Sequence, residues 1–219
     1  PITRAQLVAG DWTVRAGANM FKREWFPIVP TVPAGLPAIR FWDLASTAPA
    51  PGKRPDWTVG LRLEGSPSGR YYVSSVRRFQ SSPQGVEKIV RQTAELDGHS
   101  VAIYMEQEPG SAGVTVIDYY TRKVLAGYFF EGVRSTGSKV ERAAPCSSQA
   151  EAGNISLVGG NWVGDFLDEI EGFPSGEFDD QVDGLSGAFG AMKDPHYAEI
   201  FMPEYMRNEP NTGIESAVF

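Results

Sequence analysis

The segment FPSGEFDDQVDGLSGAF, residues 173–189, places three aspartates, Asp179, Asp180 and Asp183, within five positions and surrounds them with apolar residues. At 100° per residue, Phe178, Val182, Leu185, Phe189 and Met192 fall in one stripe of a helix over 177–192. The three aspartates share a neighbouring arc of about 100°. Gly187 and Gly190 lie on that acidic face. Each costs a helix roughly 1 kcal/mol against alanine, which predicts a close neighbour on that side. Carboxylates this crowded are stable when one takes a proton or when a cation holds them together. A helix N-terminus also welcomes aspartate, so Asp179 or Asp180 could be no more than a cap. Asp183, further into the helix, is harder to explain that way.

Two more acids stand where active sites draw their groups. Asp43 sits at the end of the apolar run in RFWDLAST, and Glu106 ends VAIYME, just before the glycine loop QEPGSAG. Aspartate is depleted in strands, and strand ends flanked by glycine loops commonly carry function. Oxygen ligands from separate elements suit two Mg²⁺ or Mn²⁺ ions poised for in-line displacement at phosphorus. The rest of the composition agrees. One cysteine, Cys146, excludes a disulfide framework and a cysteine-rich zinc site. Two histidines, His99 and His196, leave little room for histidine catalysis. A metal here would be a hard, oxygen-seeking cation.

These acids need elements to hold them. The chain has 219 residues, enough for one large core. Its 42% hydrophobic and 21% charged content reads as soluble and globular. No apolar run approaches the ~20 residues of a membrane span. The chain opens with Pro1 rather than Met, as expected of a processed chain or an excised fragment. Strands are predicted over 38–45, 56–65, 70–80, 100–106 and 127–133. The first three form an antiparallel meander, with SPSG as the hairpin signal between the second and third. Helices are predicted over 83–97, with Ser82 as N-cap, Pro83 first and Gly98 as the stop, and over 110–124, 161–173 and 177–192. The order predicts an α/β mixed sheet, a three-strand antiparallel meander plus parallel strands, flanked by helices. Prolines 27, 30, 33 and 37 mark an extended connector. The expected division is a connector over 1–37, one domain over 38–195 and a tail over 196–219. Residues 134–160 follow no clear pattern.

The order strand-Asp, meander, helix, strand-Glu, helix, strand, helix-Asp resembles the ribonuclease H-like nucleases. Four strings narrow it: RFWDLAST…DWTVG, MEQEPGSAG, KVERAAPCSSQAEAGNISLV and FPSGEFDDQVDGLSGAF. Together they resemble the C-terminal nuclease domain of the large terminase subunit of tailed bacteriophages, over roughly residues 19–192. The resemblance implies an endonuclease that cuts concatemeric viral DNA by two-metal-ion hydrolysis, with Mg²⁺ or Mn²⁺. It makes Asp43 and Glu106 metal ligands, completed by Asp180 or Asp183. Asp179, Glu108 and Asp56 are further acids of that kind. It implies double-stranded DNA, a packaging ATPase domain, a portal protein and a small terminase subunit as partners. No membrane partner is implied, and the setting is the cytoplasm of an infected bacterium. GVRSTGSK, residues 132–139, approaches the phosphate loop of such an ATPase. Ser138 and Lys139 are in the wrong order, however, and no strand–loop–helix context is expected there.

The net charge of −7 taken alone argues against a nucleic-acid partner. Two divalent ions would cancel four of those charges locally. Phosphate contacts then fall to Arg134, Lys139 and Arg142 in RSTGSKVER, expected to be a flexible basic loop, or to Arg77 and Arg78 at a strand end. Three rivals remain: a junction resolvase or transposase of the same fold, a non-catalytic Ca²⁺-binding or assembly module, and a two-carboxylate glycoside hydrolase.

Overall fold

The computed structural model of the chain describes residues 19–45, 56–66 and 68–202. Most of the expected tail, half of the expected connector and the Pro/Ala/Gly loop 46–55 lie outside those residues. Seven strands form one sheet: β1 (Ile28–Val29), β2 (Ala38–Asp43), β3 (Thr58–Gly65), β4 (Tyr71–Phe79), β5 (Val101–Gln107), β6 (Phe130–Arg134) and β7 (Ile155–Val158). Their order across the sheet is β1-β7-β4-β3-β2-β5-β6. The meander is antiparallel, and the β2–β5, β5–β6, β4–β7 and β1–β7 pairs are parallel. This is the mixed ribonuclease H-like architecture expected from the sequence.

Helices cover both faces, which is why β2 and β5 read as near-continuous apolar runs. On one face lie α1 (Pro83–Asp97) and α2 (Gly110–Tyr119), the latter prolonged by a π-helical turn to Val124. Val90, Ala94, Tyr120 and Val124 pack there against Trp42, Ile103 and Met105. The signals that delimit α1 are local and all present. Ser82 Oγ accepts from Gly85 N, Pro83 opens the helix, and Gly98 closes it at φ 80°. On the other face lie α3 (Lys139–Glu151), α4 (Val163–Gly172), α5 (Asp180–Met192) and α6 (Pro195–Phe201). Phe41, Leu61, Phe166, Leu185 and Tyr197 belong to their common core.

Three expectations change. The unpatterned stretch 134–160 holds α3 and β7. Only the small residues Ala143, Cys146 and Ala150 of α3 are buried, and Pro145 stands inside the helix, so its apolar stripe is faint. The expected loop RSTGSKVER runs instead from the last residue of β6 through residues 135–138 into the first turn of α3, so a strand–loop–helix context does exist around GVRSTGSK. No phosphate site results, because Glu141 closes a capping box with Ser138 and fills the helix N-terminus with its own carboxylate. Finally, the packed body extends beyond 38–195. Phe21 and Phe26 are buried, β1 pairs with β7 through Ile28↔Leu157, and Tyr197 is fully buried. A two-residue strand between Pro27 and Pro30 carries no sequence signal of its own.

Candidate active site

Register brings the two strand acids together. Trp42 is the partner of Met105 on the parallel pair β2–β5. Asp43 and Glu106, each one residue further on, are therefore neighbours at the carboxyl ends of adjacent strands. Trp42 and Met105 belong to the α1–α2 side of the core, and Phe41 and Tyr104 to the opposite side. By alternation, Asp43 and Glu106 project from the face on which α5 lies.

Helix α5 meets that face closely because it is small there. A Cβ on Gly187 would overlap the Phe41 ring, and one on Gly184 would come 3.1 Å from Val59 Cγ1. The close neighbour expected beside Gly187 is thus the sheet itself. Gly190 has open space instead. The helix begins at Asp180, so Asp179, Asp180 and Asp183 crowd its first turn opposite the strand acids.

A cavity of about 450 Å³ opens between them. Asp43, Asp56, Glu106 and Glu108 line it from the strand side, and Asp179, Asp180 and Asp183 from the helix. Lys139 and Arg142, from the start of α3, close its margin. Every acid singled out in the sequence therefore borders one cleft. Neither histidine does.

The crowding has electrostatic consequences. Burial pushes the Asp43 carboxyl well above the usual range, and the charges of Glu106, Asp183 and Asp180 add to it. Asp180 is pushed up to about 6, first by burial and then by Glu169, against a hydrogen bond from the Trp57 backbone. Asp183, buried at 6% side-chain exposure, is held by two cations. Arg142 Nη2 donates to Oδ1 at 2.7 Å, and Lys139 Nζ lies 2.6 Å from Oδ2. Lys139 also donates to Asp179 Oδ1 at 2.6 Å. Burial lowers the Lys139 pKa, but its hydrogen bonds to Asp179 and Asp183 outweigh this and hold it above the ordinary lysine value.

Among the described residues no three acidic, histidine or cysteine side chains converge tightly enough to enclose a metal ion as they stand. The donor set nevertheless suits a hard divalent cation. It is carboxylate oxygen throughout, and neighbouring carboxylates raise the proton affinity of Asp43 and Asp180, a strain that bound positive charge relieves. The Lys139 ammonium already bridges two of them.

Of the expected phosphate contacts, Arg134 is exposed at the carboxyl end of β6, beside Gln107 in register. Lys139 and Arg142 turn into the cleft. Arg77 is exposed near the carboxyl end of β4, but it is in register with Gly60 and through it with Trp42, so it projects from the α1–α2 face, opposite the cleft. Arg78 instead turns inward, pairing with Glu169 at 3.1 Å and lying 4.0 Å over the Trp57 ring. Trp42 is core, and Trp57 and Trp162 are partly buried against it. Burial pushes the Cys146 thiol up to about 12, so it is inert at neutral pH.

Sequence reasoning missed Glu169. Its Oε1 accepts from Gln181 N at 2.6 Å and supplies the cap of α5. Asp179, at the N-cap position, makes no side-chain capping bond. A signal existed: Glu169 lies three residues after Phe166 and four before Phe173, a charge within the apolar stripe of α4.

Residues 40–191 match the family model of the terminase RNaseH-like domain. No curated protein sequence matches the chain. Among solved structures, the large terminase nuclease of thermophilic phage G20c aligns at 15% identity and TM-score 0.56, covering 79% of this chain and 98% of that one. The same phage nuclease with bound magnesium aligns at 16% and 0.53, covering 80% and 97%. The human cytomegalovirus terminase nuclease domain, soaked with manganese and inhibitor-bound, aligns at 14% and 0.60, covering 82% and 97%. At these identities the structural likeness shows the fold.

Proposed function

The chain belongs to the terminase RNaseH-like domain family, and from that premise we propose that it is the nuclease domain of a viral DNA-packaging terminase. It cuts concatemeric double-stranded DNA by phosphodiester hydrolysis that depends on divalent cations. The observation that carries this reading is the convergence of acids from β2, β5 and α5 on one cleft. Asp43 in particular is destabilised as an anion by burial, Glu106, Asp183 and Asp180 together.

In this reading Asp43, Glu106, Asp180 and Asp183 hold two ions, Mg²⁺ or Mn²⁺, with Asp179, Glu108 and Asp56 around them. Bound there, the ions supply charge neutralisation of the attacking and leaving oxygens at phosphorus. The chain's own residues do the rest. The rigid ends of β2 and β5 set the spacing of Asp43 and Glu106. Lys139 and Arg142, at the margin of the cleft, donate to the phosphodiester when it enters, and Arg134, at the carboxyl end of β6, extends the phosphate track. Such contacts position duplex DNA without reading its sequence. The packaging ATPase domain, portal protein and small terminase subunit are the partners the family implies, in the cytoplasm of an infected bacterium.

Incubation of supercoiled plasmid with Mg²⁺, Mn²⁺, Ca²⁺ or EDTA tests the reading. Nicking and linearisation with Mn²⁺ or Mg²⁺, absent with EDTA and abolished by Asp43→Asn, is the expected result. Intact plasmid at high enzyme with either ion overturns it.

A further inference from the structure

We propose that Arg78 and Glu169 are positioning residues for Asp180, a clamp behind the cleft that fixes the start of α5 and the carboxylate it presents. The inference rests on the nuclease reading of the cleft. Neither residue lines the cavity.

A helix start leaves backbone N–H groups without intrahelical partners. In α5 one of them, Gln181 N–H, is served not by the adjacent aspartate but by a carboxylate from another helix. Glu169 accepts from Gln181 N at 2.6 Å through Oε1 and from Gln181 Nε2 at 2.8 Å through Oε2. Its third partner is Arg78 Nη2 at 3.1 Å, and its side chain is 5% exposed. Asp180 is the residue immediately before the one so anchored.

Arg78 reaches Asp180 by a second route. Its guanidinium lies 4.0 Å from the Trp57 ring centroid and 5.4 Å from that of Phe178. Those two rings pack edge to face, with centroids 6.4 Å apart. Trp57 donates its backbone N–H to the Asp180 carboxylate, and Phe178 stands two residues before Asp180. One guanidinium therefore touches the carboxylate that caps the helix, the residue that donates to Asp180, and the segment leading into it.

Capping accounts for Glu169, but stability alone does not call for Arg78 beside it. A buried ion pair is often matched or exceeded in stability by apolar residues of similar volume. Fixing a catalytic carboxylate does call for it, because misplacement by about 1 Å can cost 10²-fold in rate. Partners that orient metal-binding residues cost 10–100-fold in affinity or activity when removed.

The test uses Arg78→Gln, Glu169→Gln and the double variant Arg78→Met/Glu169→Leu, which replaces the pair with apolar volume. A control, Asp97→Asn, perturbs the buried Arg40–Asp97 pair (2.8 Å) on the opposite face of the sheet. Readouts are Mn²⁺ affinity by calorimetry on DNA-free protein, melting temperature, and kcat and KM for duplex cleavage. The single and double variants are expected to bind Mn²⁺ more weakly by ~10-fold and to lose kcat by ~10–100-fold, with KM for DNA little changed. The double variant is expected to stay folded but to melt lower than the parent, because Gln181 N and Nε2 lose their acceptor. Asp97→Asn is expected to lose melting temperature and keep both Mn²⁺ affinity and kcat. A folded double variant with parental Mn²⁺ affinity and kcat overturns the clamp. A parent that does not cleave DNA sinks the nuclease reading instead, and the clamp then stands or falls on the Mn²⁺ affinities alone.

Discussion

The ammonium of Lys139 lies 2.6 Å from Oδ2 of Asp183. With Arg142 on Oδ1 of the same carboxylate, Asp183 is neutralised from both sides, whereas Asp180 receives a single backbone N–H and a neighbouring Glu169 charge. The spacing of Asp180 and Asp183 suggests an equivalent pair. Their surroundings make them different: one is compensated within the chain, the other awaits external positive charge.

Removing the lysine should expose that difference. Lys139→Met is expected to destabilise the protein in EDTA by about 1–3 kcal/mol, the usual range for a hydrogen bond to a charged group lost from a buried acceptor. Saturating Mg²⁺ should close most of the gap, because the ion then does what the ammonium did. Melting curves in EDTA and in Mg²⁺ check this; a deficit of equal size in both would make Lys139 purely structural.

The pH dependence has a definite sign. Asp43 and Asp180 have raised pKa values, Asp180 to about 6, so the folded state binds more protons than the unfolded chain between the ordinary aspartate value of about 4 and that range. Their contribution to stability is therefore lost as pH rises through that window. In EDTA the parent should lose more stability from pH 5 to 7 than Asp180→Asn does. Identical denaturant midpoints across both pH values for parent and variant would refute the assignment. In Mg²⁺ the parent's loss should shrink, since bound cation favours the ionised acids.

Two glycines of α5 should respond oppositely to alanine. Gly187→Ala drives a methyl into the Phe41 ring and is expected to cost about 1–3 kcal/mol by overpacking. Gly190→Ala meets nothing within 4 Å and should stabilise by about 0.5–1 kcal/mol through helix propensity. Urea denaturation of the two variants decides; similar midpoints would mean that α5 does not press on the sheet through Gly187.

DNA binding should report on Arg134 without disturbing the acids. Arg134→Ala is expected to weaken duplex binding and to lower the slope of log affinity against log salt by about 0.9, one phosphate contact. Fluorescence anisotropy over a salt series in Ca²⁺ measures it. An unchanged slope would move the DNA path off the β6 end of the sheet.

Much of the architecture was legible because its causes are local. An apolar run ending in an acid marks β2 and β5 whatever lies around them. Ser82, Pro83 and Gly98 bracket α1 by capping chemistry confined to a few residues. The three aspartates announced a helix that borders a buried stripe, since helical periodicity is a property of the segment itself. By contrast, β1 and β7 are short strands whose hydrogen bonds come from each other and from β4, across more than a hundred residues between Ile28 and Leu157. No window of sequence contains that partnership.

The site divides along the same line. Residue types and strand-end positions were enough to nominate the acids, because a carboxylate beside an apolar run needs a partner wherever the chain goes. Which partner each one receives was decided only by tertiary packing. Lys139 and Arg142 turn to Asp183 because α3 packs beside α5, and Glu169 caps α5 because α4 lies against its start. Burial and distance set the energy of a charge, and both belong to the folded chain rather than to the order of its residues.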